Sequence, residues 1–187
     1  MWVAILLTTP AFAHSGGEGF GGGFVSGFLH PIFGWDHVLA MVAVGLWGAF
    51  LGAPAIWLLP VAFPLMMAIG GALGVLGVPV PAVEQGIAAS SIVLGILIAL
   101  AARLPLVVAL IIVAAFAIFH GHAHGTELPD ATNAIAYSIG FVIATGLLHL
   151  GGIVFGLLTA RPAGAIAVRG AGAAIAVAGA GFLTGYL

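Results

Sequence analysis

"GFLHPIFGWDHVLAM", residues 27–41, places two histidines and an aspartate inside an apolar run. His30, Asp36 and His37 are the intruders. A carboxylate at the centre of a bilayer costs about 2.5–3.5 kcal/mol on insertion scales. Groups that costly need a partner or a task. The surroundings decide whether this is a soluble helix with ordinary polar positions or a membrane span with expensive ones.

The surroundings are apolar throughout. Of 187 residues, 63% are hydrophobic and 4% are charged. Ordinary soluble domains are roughly a quarter charged. A soluble fold of this composition would have almost no polar surface to show water, so the bilayer is the solvent this chain is built for. The net charge of −2 offers nothing to nucleic acid. Cysteine is absent, which excludes disulfides, iron–sulfur clusters and thiolate metal sites.

A helix needs about 20 apolar residues to cross about 30 Å of hydrocarbon. Cutting at proline, glycine and charge leaves six candidate spans, at 24–50, 54–77, 84–102, 105–123, 131–159 and 163–186. The fourth is short, and the fifth is long enough to tilt or bend. The predicted fold class is therefore all-α, a polytopic membrane protein with a bundle of six transmembrane helices. Residues 14–187 form one transmembrane domain. The first thirteen residues read as a cleaved signal peptide: an apolar stretch too short to span, Pro10, then Ala11-Phe12-Ala13 as an A-x-A cleavage site.

Cleavage after Ala13 would leave the mature N-terminus outside the inner (cytoplasmic) membrane of a bacterium. Alternation of spans then puts the "ARLP" and "TARPAG" turns, with Arg103 and Arg161, in the cytoplasm. That agrees with the positive-inside rule. Glu18, Glu84, Glu127 and Asp130 would face outward, an acidic side suited to capturing a cation. Packing inside the bundle is expected from small residues, as in "AIGGALGVLG" and "RGAGAAIAVAGAGF", whose small-xxx-small spacing lets backbones approach closely. Pro60 and Pro64 are expected to kink the second span. Ser90 and Ser91 read as interhelical hydrogen-bonders.

Asp36 lies about twelve residues into its span, near mid-membrane. His37 points about 100° away from it on a continuous helix. His30 and His37, seven apart, share a face unless Pro31 breaks the helix. A second group stands in "FAIFHGHAHGTELPD", residues 116–130. There His120 and His124 share a face if the helix continues past Gly121, and His122 points away. His149 is buried among Leu and Gly in "TGLLHLGG". Six histidines beyond His14, with Asp36 and Glu127, point to a transition-metal site, because neutral imidazole suits nickel, zinc, copper and iron. A proton relay is the main physical competitor.

The sequence resembles a known family at these places. "HPIFGWDHVLAMVAVGLW", residues 30–47, is similar to the H-P-x-x-G-x-D-H signature of the HupE/UreJ membrane proteins. "FHGHAHGTELP", residues 119–129, resembles that family's F-H-G-x-A-H-G-x-E motif, and "GFVIATGLLHLGG", residues 140–152, its fifth-helix motif. The resemblance implies a nickel, or cobalt, permease serving metalloenzyme maturation. It implies that His30, Asp36 and His37 handle the metal, with His120, His124, Glu127 and His149 as helpers. His122 holds the variable position of its motif and receives no role.

The expected function is passage of a divalent transition-metal ion between helices, without an enzymatic reaction. No nucleotide-binding motif is present, so passage would be facilitated or ion-coupled. No tightly bound cofactor is expected; nickel or cobalt is the cargo. The expected partners are that ion and lipid, with a homo-oligomer and metalloenzyme maturation proteins left open. His14 and Glu18, at the mature N-terminus, are expected to form an outer capture site. Two other classes remain in play: an intramembrane metal-dependent hydrolase, for which no Ser beside a base is evident in the sequence, and a non-transporting metal sensor or assembly protein.

Overall fold

The computed structural model describes residues 20–126 and 133–186. The signal-peptide segment, His14, Glu18, Glu127 and Asp130 lie outside those residues. The described chain is all helical. Its elements are α1 (Phe20–Phe33), α2 (Trp35–Leu51), α3 (Ala55–Val75), α4 (Val83–Ala99), α5 (Leu106–Thr126), α6 (Ala134–Gly156) and α7 (Pro162–Thr184), with one 3-10 turn, Leu157–Ala160, after α6.

Four of these helices, α3, α5, α7 and α6 with its 3-10 extension, are long and apolar enough to cross a bilayer. A helix can satisfy its backbone hydrogen bonds within itself, as a span must. Large apolar side chains stand on their outer surfaces, among them Leu65, Val107, Ile111, Val154 and Ile166. α4, which falls in the third of the six expected spans, is shorter at 17 residues, so among the described residues four or, with the bent pair of α1 and α2, five spans have the necessary length instead of six.

The first span is not one helix. α1 and α2 meet at Gly34 with a bend of 80°. Pro31 is not the breaking point, because α1 stays helical through it to Phe33. The break comes where Gly34 takes an extended ψ of 99°. Asp36 then stands in the first turn of α2, not deep within a helix. A carboxylate near a helix N-terminus is favoured by the helix dipole.

Glycine contacts set the depth of this elbow. Gly23, Gly27 and Gly140 lie where α1 touches the first half of α6, against Asn133, Tyr137 and Phe24. Gly45, Gly152 and Gly156 lie where α2 touches the second half, against His149, Val42 and Ala49. The elbow therefore sits level with the middle of α6. Each arm thus lies along half of α6, as the two halves of a broken span would, and discontinuous helices line ion and substrate sites in transporters.

The other helices pair in the same way. α3 packs on α5, and α4 on α7. A Cβ on Gly121 or Gly125 of α5 would run into the backbone of Met67 or Gly71 of α3. Small residues thus bring whole backbones together. They do not loosen α5, which continues past both glycines to Thr126. α3 likewise runs unbroken through Pro60 and Pro64. Loop order puts Arg103 and Arg161 at one end of the bundle, where Arg103 lies over the Phe50 ring. Arg169 joins them by donating Nε–H to the Ala99 carbonyl near the end of α4, at 2.8 Å.

Candidate functional site

Helix α2 begins with Asp36 and His37 side by side. On an ideal helix the two diverge. Here Asp36 turns toward its neighbour. Its Oδ1 accepts the backbone N–H of His37 and the ring Nδ1–H, each at 2.8 Å. A neutral imidazole carries one N–H. With Nδ1 protonated, Nε2 of His37 is bare, and it is buried without a hydrogen-bond partner. This is the arrangement by which a carboxylate fixes the tautomer of a ligating histidine.

The remaining histidines come to this point from other helices. Because α5 continues, His120 and His124 lie one turn apart on one face. The ring of His124 is 4.5 Å from His37 and 4.8 Å from His30, between centroids. The ring of His120 is 4.7 Å from His37. Both nitrogens of His124 and Nδ1 of His120 are buried without a partner. His30 and His37 are only partly covered. With Asp36, Ser26 and Phe33 they line an open cleft of about 530 Å³ at the elbow. Asp36 also borders a second cavity of about 380 Å³, shared with Glu84 and Gln85 of α4 and the C-terminal end of α7.

The rings form a row. In order of contact it runs His30, His124, His37, His120. The Phe63 ring of α3 continues it, 5.6 Å from His120 and 5.4 Å from His149. His149 is 2% exposed, and neither of its nitrogens has a partner. It lies seven residues from the end of α6, farther toward the arginine-bearing end than the other four.

His122 leaves the row, and its Nε2 lies 2.9 Å from the Val78 carbonyl. Among the described residues, no three His, Asp or Glu side chains are arranged to hold a metal ion together. The histidines make a file of rings, with unpartnered nitrogens on His37, His120, His124 and His149, not a closed cage.

Two neighbours of this file were not candidates from sequence. Phe63 reads as one apolar residue among many. Ser90 reads as an interhelical hydrogen-bonder, and the structure agrees while adding its partner: Oγ lies 3.0 Å from Nε2 of His120. The chain therefore does contain a serine beside a base. It is not built as a nucleophile, because Ser90 is 0% exposed and its Oγ–H donates to the Ile87 carbonyl at 2.6 Å. Ser91, by contrast, has a buried hydroxyl with no partner.

Comparison with known proteins reaches nearly the whole chain. The profile described as "HupE / UreJ protein" matches residues 2–182. The chain is 45% identical over 179 residues to "Protein HupE" of Rhizobium leguminosarum bv. viciae, covering 96% of this chain and 94% of that protein. No solved structure matches.

Proposed function

Because the chain belongs to the HupE/UreJ family, we propose that it is a permease that carries a divalent transition-metal ion, nickel or cobalt, along the histidine file. The observation that carries this reading is the file itself. Four imidazoles from α1, α2 and α5 adjoin in turn and a fifth, His149 of α6, stands beyond the Phe63 ring, most with buried, unpartnered nitrogens.

A divalent ion in hydrocarbon is prohibitively costly unless ligands replace its water. Passage also needs ligands that let go. A row of neutral imidazoles meets both needs, since the adjoining rings from His30 to His120 can share the ion in turn and no cage traps it. The ion enters at the cleft beside His30, Asp36 and His37, where partial exposure allows water to be shed in steps. His124 and His120 take it inward, and His149 receives it past Phe63. Glu127, the residue after Thr126 in the sequence, is a further candidate ligand. The three arginines gather at one end, and by the positive-inside rule that end is cytoplasmic. The cleft then opens toward the outside, and the direction of passage is inward.

Purified protein in sealed vesicles, without any other protein, tests the reading. Radioactive nickel should accumulate inside at a rate that saturates with nickel concentration and exceeds that of empty vesicles. Vesicles that bind nickel without accumulating it would make the protein a metal sensor or assembly factor.

A further inference from the structure

Building on the reading of the histidine file as a metal path, we propose that Ser90 is a positioning residue that locks His120 in the Nε2–H tautomer and so presents Nδ1 bare to the passing ion. The argument is one of proton counting. A serine hydroxyl has one proton and two lone pairs. Ser90 Oγ lies 2.6 Å from the Ile87 carbonyl one turn earlier on α4. A carbonyl oxygen has no proton to give, so a contact that short takes the proton of Ser90. Helical serines commonly make this bond.

The oxygen is then an acceptor toward its other partner, Nε2 of His120, 3.0 Å away. Nε2 must carry the hydrogen. Nδ1 is left with a lone pair, and it is the atom of His120 that is buried without a partner. The bond also fixes the ring plane beside His37 on one side and Phe63 on the other.

His37 is set by the same logic from the opposite direction. Asp36 holds Nδ1–H, and Nε2 is bare. The two rings, 4.7 Å apart, thus present opposite nitrogens, each fixed by a different neighbour. Without Ser90 the His120 ring is free to turn or change tautomer. An N–H aimed at a cation repels it, so the other tautomer would block the file.

The test uses Ser90→Ala, His120→Ala and the double variant in the full-length protein in bilayers. ¹⁵N NMR of histidine-labelled protein reads the tautomer directly, with the His120 signal assigned by its loss in His120→Ala. The wild-type signal should show Nε2 protonated and Nδ1 bare, and Ser90→Ala should give a mixture. A wild-type Nδ1–H tautomer, or an unchanged single tautomer in Ser90→Ala, overturns the proposal. This readout needs no transport, so it stands even where the protein moves no metal and the permease reading fails. In the uptake assay, Ser90→Ala should raise the half-saturating nickel concentration about tenfold or more. The double variant should be no worse than His120→Ala alone, because Ser90 acts through His120. Wild-type half-saturation in Ser90→Ala would also overturn the proposal.

Discussion

Asp36 Oδ1 accepts two hydrogen bonds from one residue, the backbone N–H and the ring Nδ1–H of His37, both at 2.8 Å. The pairing is open to sequence neighbours because α2 starts just after Gly34, and the N–H groups of a first helical turn have no intrahelical acceptor. One side chain thereby satisfies an orphan backbone donor and sets a ligand's tautomer. The break in the first span and the chemistry of the site are one feature.

Asp36→Asn keeps the accepting oxygen and removes the charge. Nickel uptake should fall about ten- to a hundredfold, the usual effect of altering a partner that tunes a ligating histidine. His37→Ala should lose at least as much, because it removes the ring shared by both arms of the file. Normal uptake in both variants, at equal membrane abundance, would take the pair out of the path.

His124 and His122 stand two residues apart with opposite expectations. His124 touches His30 and His37, while His122 is tied to the Val78 carbonyl. His124→Ala should abolish most uptake. His122→Ala should leave uptake within about twofold and cost about 1 kcal/mol of stability for the lost hydrogen bond. Uptake assays paired with thermal unfolding in detergent separate the two, and equal losses of transport would contradict the geometry.

Gly121→Ala would drive a methyl group into the Met67 backbone, where no flexible side chain can move aside. Overpacking of this kind typically costs about 1–3 kcal/mol. The variant should unfold at lower temperature and pull His120 and His124 out of line. Gly146→Ala, which meets open space, is the neutral control. Equal melting of the two variants would show that α3 and α5 do not pack as described.

Acid should slow uptake. A histidine must be neutral to bind metal, and its unperturbed pKa is about 6.5. Proton and metal compete for the same lone pairs where the cleft meets outside water, and lowering the outside pH from about 7.5 to about 5.5 favours the proton. Uptake should therefore decline as the outside pH drops across that range. A steady rise toward acid would contradict simple ligand competition and indicate coupling to protons.

Much of this was legible in the sequence. The helical bundle follows from composition, and the divergence of His122 from His120 and His124 follows from helical spacing. The elbow was harder to read. Pro31 is the conspicuous breaker, yet the chain stays helical for two more residues and turns at Gly34. Gly121 and Gly125 look like loosening residues, but their lack of a side chain is what lets α3 and α5 touch. The Ser90–His120 bond joins residues thirty apart and depends on how α4 meets α5. Phe63 gains its place only from the position of α3. Spacing along one helix is a local property, whereas these contacts arise from packing between helices.

The central claim is that the histidine file handles the metal, and nickel-edge X-ray absorption on nickel-loaded protein in bilayers tests it most directly. The spectrum should show at least two imidazole ligands on nickel, with a loss of imidazole scattering in His37→Ala and in His124→Ala but not in His122→Ala. An all-oxygen shell, or an imidazole signal that survives both of the first two substitutions, would contradict the account.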